Sequence, residues 1–186
     1  RVLVGEVGSG KTLYAHRLFQ RVISQARMSS DAPWPIFVNA REVVGRLKDK
    51  IGEVLDGLDY APVKQSAVFL VIEGADEAGH VAINNLLSEA RILTASQRPS
   101  IQIVITSRPF VGMHEKTIEE IVDVPLLSES TSWSLIGSLS GHEGNGRMIS
   151  NWPKSLQDTV RRPLFAILFG VFLKSHTWKK SFSIGE

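Results

Sequence analysis

The sequence contains no cysteine among its 186 residues, which excludes a disulfide scaffold, a thiolate zinc site and cysteine catalysis. It also lacks a dominant charge. The 21 Lys+Arg against 19 Asp+Glu leave a formal +2, too even a balance for electrostatic capture of nucleic acid. Long apolar runs are missing as well: the longest, residues 164–173 (LFAILFGVFL), would rise about 15 Å as a helix against a bilayer core of roughly 30 Å. It predicts a buried helix and no membrane span. The histidines, at 16, 80, 114, 142 and 176, are dispersed with no H-E-x-x-H spacing, so no zinc site is expected. No G-x-S-x-G elbow supports acyl transfer, and no internal repeat or low-complexity tract is visible. The opening RVLVGEVGSGKT has no n-region, apolar h-region and cleavage site in succession, so a secretory signal is not expected. Because the chain opens on Arg1 with a motif beginning at Gly5, the expectation is a piece of a longer, cytoplasmic polypeptide.

What is present is an ordinary globular composition, 43% hydrophobic and 22% charged, in a chain long enough to bury roughly 70% of its unfolded surface. Val2-Leu3-Val4 reads as a strand, followed by a glycine-rich turn and then by Ala15, Leu18, Phe19, Val22, Ile23 and Ala26 at helical spacing. Residues 36–38, 67–72, 101–105 and 121–124 are further strand candidates. The 67–72 run AVFLVI is continuously apolar, as expected of a strand covered on both faces. Residues 42–56 are weakly helical, and Ile83, Leu86, Leu87, Ala90 and Leu93 again follow a helical period. Ser107-Arg108-Pro109 stops the fourth strand, because proline can donate no ladder hydrogen bond. Alternation of this kind predicts an α/β fold with a mostly parallel five-stranded sheet flanked by helices. From Ser128 the pattern changes to helices capped by Ser128 or Ser130, then around 154–160 and 163–175, with a flexible loop at 141–146. The expected organisation is a core over residues 1–127 and a small, incomplete helical subdomain over 128–186.

Gly5-Glu6-Val7-Gly8-Ser9-Gly10-Lys11-Thr12 fits G-x-x-x-x-G-K-[ST] and lies between strand and amphipathic helix, where a phosphate loop belongs. Glycines at 8 and 10 let the backbone turn successive N–H groups inward, and the helix opening at Lys11 adds its positive dipole end. Lys11 is then the cation for β- and γ-phosphate oxygens, and Thr12 a hydroxyl ligand for Mg2+.

The strand 67–72 runs into Glu73-Gly74-Ala75-Asp76-Glu77. In an open α/β sheet ligands bind beyond the carboxyl ends of the strands, so Glu73 is the candidate metal ligand and Asp76 or Glu77 the candidate for orienting an attacking water. Thr106-Ser107-Arg108-Pro109 ends the neighbouring strand. Arg108 there either approaches a γ-phosphate, stabilising or sensing it, or pairs with a nearby carboxylate.

These stations together resemble the NACHT family of signal-transducing NTPases, within the STAND class of regulated ATPases. The resemblance rests on GEVGSGKT, on FLVIEGADEAG as an extended Walker B pattern, and on ITSRP. Val124-Pro125-Leu126-Leu127-Ser128-Glu129 is similar to the family's link out of the nucleotide domain, and Arg162-Pro163-Leu164 resembles its proline motif. The resemblance implies that the 101–105 strand lies between the phosphate-loop strand and the 67–72 strand. It implies that Pro163 lies against the adenine, and that bound ATP/ADP and Mg2+ control self-association through the NTPase domain. Sensor and effector domains would lie outside this sequence. One departure is Glu73, where the family usually has Asp; the extra methylene bears on metal geometry and turnover more than on binding.

The expected function is a slow Mg-dependent ATPase acting as a signalling switch. The alternatives are a mechanical AAA+ ATPase, a non-hydrolysing nucleotide-bound scaffold and a phosphate-loop kinase. Against the kinase stands the lack of an arginine-rich lid stretch. Against the AAA+ reading stand the low net charge and the E-G-A-D-E order in place of adjacent Asp-Glu. Trp34, Trp133, Trp152 and Trp178 are expected in cores or interfaces. Arg161, Arg162, Lys174, Lys179 and Lys180 are expected as solvated flanks of an apolar helix, with an Arg beside Pro163 near enough to reach a nucleotide.

Overall fold

The computed structural model describes residues 1–56, 67–95, 100–110, 120–141 and 152–175. Contacts divide the chain into two units. The first comprises Arg1–Val7 with Lys11–Val124, and the second Gly8–Gly10 with Pro125–Glu186.

The first unit contains β1 (Val2–Val4), α1 (Lys11–Met28), β2 (Trp34–Asn39), a 3₁₀ turn at Ala40–Glu42 and α2 (Leu47–Asp56). It continues with β3 (Val68–Glu73), a second 3₁₀ turn at Ala75–Ala78, α3 (His80–Ala95), β4 (Ile101–Ser107) and β5 (Ile121–Asp123). The strands form one sheet in the order β2-β3-β4-β1-β5, every recorded pairing parallel. The fold class is therefore the α/β one expected, and β4 does lie between β1 and β3.

Alternation along the strands builds two cores, because successive side chains of a strand point to opposite faces. Val2, Val4, Ile36, Val38, Leu70, Ile72, Ile103 and Ile105 share one cluster with Leu47 and Ile51 of α2 and with Ile83, Leu86, Leu87 and Ala90 of α3. Leu3, Phe69, Val71 and Val104 pack on the opposite face with Ala15 and Val22 of α1. Both faces of β3 are covered, which explains its uninterrupted apolar sequence. The weakly helical stretch 42–56 resolves into a short 3₁₀ turn and a separate α2, broken at Gly45, whose φ of +88° suits glycine. The Leu47 amide at the start of α2 donates to the Glu89 carboxylate of α3. His16 stacks on Phe37 with ring centroids 4.7 Å apart, and His114, His142 and His176 lie outside the described residues.

In the second unit α4 (Glu129–Ser140), α5 (Lys154–Val160) and α6 (Pro163–Ser175) enclose a small core of Ile136, Val160 and Ala166 lined by Trp133, Trp152 and Phe169. Ser128 caps α4, its hydroxyl accepting from the Thr131 amide at 3.1 Å, while Ser130 falls inside the first turn. Trp133 and Trp152 meet edge to face at 6.0 Å, as core residues; Trp178 lies outside the described residues, as does the loop beyond Gly141. Arg161 is more than a solvated flank. Its Nε donates to the Leu127 carbonyl at 2.9 Å, and the Leu127 amide donates to the Arg161 carbonyl at 2.8 Å. Among the described residues no helix is long and apolar enough to cross a membrane.

Candidate functional site

The parallel sheet sends β1, β4 and β3 out at one edge, side by side in the order β3-β4-β1. Each strand delivers one of the stations read from sequence: β1 leads into Gly5 and the phosphate loop, β4 ends at Ser107 before Arg108, and β3 ends at Glu73. The Gly5 amide donates to the Ser107 carbonyl at 3.3 Å, which ties the start of the loop to the end of β4.

Gly8 and Gly10 have φ of +76° and +90°, a region that side chains disfavour and that a loop curled around an anion requires. Lys11, the first residue of α1, folds its ammonium back onto the Gly5 carbonyl and onto the Glu6 carbonyl, the latter at 3.1 Å. Burial holds the Lys11 ammonium below its ordinary 10.5; Asp76 and Glu6 oppose that shift and Arg108 reinforces it. Thr12 follows on the exposed side of the first turn, and Val7 is exposed on the loop.

Ser9 is 4% exposed, and its Oγ is buried with no hydrogen-bond partner. A buried hydroxyl without a partner is costly, and a phosphate oxygen is an acceptor suited to it. The positive-φ glycines and this orphaned hydroxyl fit an anion such as a phosphate. Within the second unit Pro163 lies beside Gly10, its Cγ 3.7 Å from where a Gly10 Cβ would stand, and the Leu164 amide donates to the Gly8 carbonyl at 3.2 Å.

The acids beyond β3 occupy the 3₁₀ turn entered through Gly74, whose φ is +72°. The turn is anchored on β4: the Gly74 amide donates to Thr106 Oγ1 at 3.0 Å, and Thr106 is itself buried. Asp76 meets Arg108 twice, its Oδ1 accepting from the backbone amide and its Oδ2 forming an ion pair with Nε, each at 3.0 Å. Of the two roles open for Arg108 in the sequence, the pairing with a carboxylate is present. Glu77 instead meets Arg41, whose Nη2 lies 3.1 Å from Oε2. Glu73 is half-buried at the strand tip, in register with Asn39 of β2.

Arg41 and Thr106 are site neighbours that periodicity passed over. Arg41 sits in a stretch that reads as weak helix, and Thr106 reads as one more β-former. Only the β2–β3 and β3–β4 pairings bring them to the acidic turn.

No family model matches the chain, and no curated protein matches it. It is similar in structure to C. elegans PCH-2 (TM-score 0.45, 20% identity, over 85% of this chain and 45% of that one). It is also similar to the structure of Drosophila ORC bound to DNA (TM-score 0.39, 11% identity, over 92% of this chain and 48% of that one). The chain thus spans less than half the length of either.

Proposed function

We propose that this chain is the nucleotide-binding part of an ATP/ADP-dependent signalling switch of the NACHT type, with slow ATP hydrolysis as its timer. The observation that carries the reading is the convergence of β1, β4 and β3 on one sheet edge with a G-x-x-x-x-G-K-T loop, an arginine and an acidic turn. Bound Mg2+ and ATP would supply the phosphoanhydride and the metal's charge. The residues for holding them are Gly5, Glu6, Val7, Gly8, Ser9, Gly10, Lys11 and Thr12 in the loop, with Thr12 and Glu73 as the oxygen donors toward the metal.

Lys11 is the one loop cation, and its ammonium exchanges the Gly5 and Glu6 carbonyls for phosphate oxygens. Arg108 is a further cation of the edge, a contact that depends on whether the terminal phosphate is present. Asp76 or Glu77 supplies the carboxylate that orients water. Pro163 is the apolar surface for the adenine, and residues 128–186 are the helical lid. Loss of the terminal phosphate changes the lid's preferred arrangement, and with it self-association, only to the extent that the two states differ in these contacts. A non-hydrolysing scaffold is the second reading, favoured by the engagement of both Asp76 oxygens by Arg108.

The test is native mass spectrometry of the full-length protein, purified without added nucleotide and then exposed to Mg2+ and ATP, beside Lys11→Ala. The switch predicts retained ADP, assembly on exchange to ATP, and a folded Lys11→Ala protein that has lost nucleotide. Wild-type affinity in folded Lys11→Ala defeats the nucleotide site. An oligomer indifferent to nucleotide supports a mechanical AAA+ ATPase, and retained ATP that never turns over supports the scaffold.

A further inference from the structure

The sequence offers Asp76 or Glu77 for orienting water, and the two carboxylates meet different partners in the structure. Asp76 has both oxygens engaged by one residue, Arg108, and its side chain is only 18% exposed. That arrangement ties the turn to the end of β4, while each Asp76 oxygen keeps a further lone pair. Glu77 is more open, at 39%, and Arg41 forms its ion pair at Oε2.

The Arg41–Glu77 pair is produced by the backbone. β2 and β3 are parallel and in register through Asn39 opposite Glu73. Each then breaks into a 3₁₀ turn, Ala40–Glu42 after β2 and Ala75–Ala78 after β3. The turns pack through two small buried residues, Ala40 and Ala75, both 2% exposed and both in the cluster under the sheet edge. The side chains that follow, Arg41 and Glu77, are thereby brought together on the solvent side. Gly74 contributes as well: a Cβ there would stand 3.4 Å from Glu77 Cδ and 3.5 Å from Oε2, so the Glu77 carboxylate lies back over a residue that has no side chain to displace it.

We infer that Arg41 is a positioning residue for Glu77, holding one carboxylate oxygen so that Oε1 is presented to the hydrolytic water. The inference rests on the ATPase reading above, takes Glu77 as the water-orienting acid, and adds a residue from just beyond β2's end that sets its carboxylate. An exposed ion pair of this kind contributes little to stability, about 0–1 kcal/mol. Its effect belongs to orientation, where a modest misplacement of a catalytic group reduces the rate without changing the affinity for substrate.

The experiment is steady-state ATP turnover by the full-length protein as wild type, Arg41→Ala, Arg41→Lys, Glu77→Gln and the Arg41→Ala/Glu77→Gln double variant, with Lys11→Ala as the control for the site itself. Arg41→Ala is expected to lower kcat about tenfold with KM within twofold, and Arg41→Lys to restore part of the loss. In the Glu77→Gln background, removal of Arg41 is expected to change nothing further, because the two residues act as one unit. A purely structural role for Arg41 would lower the rate equally in both backgrounds. Wild-type turnover that Lys11→Ala abolishes and Arg41→Ala leaves unchanged overturns the positioning role while keeping the ATPase. Equal, additive losses in both backgrounds also overturn it. A wild-type protein that binds ATP and never turns it over removes the ATPase reading, and this role with it.

Discussion

Replacing Thr106 by Val tests whether the acidic turn is held to β4 by a single hydroxyl. Valine is close to threonine in shape and shares its β-branching, so strand geometry opposite Leu3, its register partner on β1, is preserved. What disappears is Oγ1, the acceptor for the Gly74 amide at 3.0 Å. Thr106 is 1% exposed and the bond is partly buried, so an amide left without an acceptor costs about 1–2 kcal/mol. For a chain of this size that lowers Tm by about 2–8 °C. The local consequence is sharper than the global one. Hydrogen–deuterium exchange at Gly74 should accelerate markedly in Thr106→Val, and ATP turnover should fall because Asp76 and Glu77 lose the tether that sets their turn. Thr106→Ser keeps the hydroxyl and gives up one methyl; it should retain slow exchange at Gly74 even if its Tm drops. Unchanged exchange at Gly74 in Thr106→Val, or identical behaviour of the Val and Ser variants, would refute the reasoning.

Two further expectations concern charge and packing. Lys11 lies below its ordinary 10.5 chiefly through burial and must carry its proton to bind an anion, so ATP affinity should decline with rising pH before 10.5 is reached, with proton uptake on binding. Titration calorimetry in buffers of different ionisation enthalpy reads both, and affinity flat to 10.5 contradicts it. The same shift means that the folded state gains stability as pH climbs through the folded value toward 10.5, since the unfolded chain holds that proton longer. In the helical unit a Cβ on Gly170 would stand 2.8 Å from Leu139 Cβ and 3.2 Å from the Ile136 carbonyl. Overpacking there costs about 1–3 kcal/mol against a helix-propensity gain of about 1 kcal/mol, so Gly170→Ala should melt lower than wild type; a higher melting temperature would show that α4 and α6 can separate freely.

The parts of this fold that were legible in the sequence are those set by local chemistry. The apolar stub Val2-Leu3-Val4, the unbroken apolar run of β3, the helical period from Ala15 to Ala26 and the Ser128 cap each follow from residues within a few positions of one another. The phosphate loop was legible because its glycines, lysine and threonine are contiguous. The strand tip was less so: β3 runs through Glu73, one residue past the apolar run, because the ladder with β2 continues to Asn39 opposite Glu73. The partners of the acids were not legible. Arg41 is 36 positions from Glu77 and Arg108 is 32 from Asp76, and no periodicity within either segment marks these pairs. They are created by strand order, which places the ends of β2 and β4 on either side of the end of β3.

That placement also determines which parts of the edge are able to respond to a nucleotide. The 3₁₀ turn at Ala75–Ala78 is held to β4 by two bonds that involve backbone amides, Gly74 N to Thr106 Oγ1 and Arg108 N to Asp76 Oδ1. Neither depends on where the Arg108 guanidinium points. The guanidinium's own contact, an ion pair of Nε with Asp76 Oδ2, belongs to a residue half exposed to solvent and contributes about 0–1 kcal/mol. A charge-assisted bond to a phosphate contributes roughly 1.5–3 kcal/mol. On the proposed function a terminal phosphate therefore draws the Arg108 side chain away from Asp76 at small cost, while Asp76 keeps its hold on the Arg108 amide and the turn stays in place. Glu77, attached to the same turn and steadied from the other side by Arg41, keeps its position through that exchange. At this sheet edge the groups that exchange partners are thus the Lys11 and Arg108 side chains, and on the proposed function the acidic turn remains a fixed reference against which the water is set.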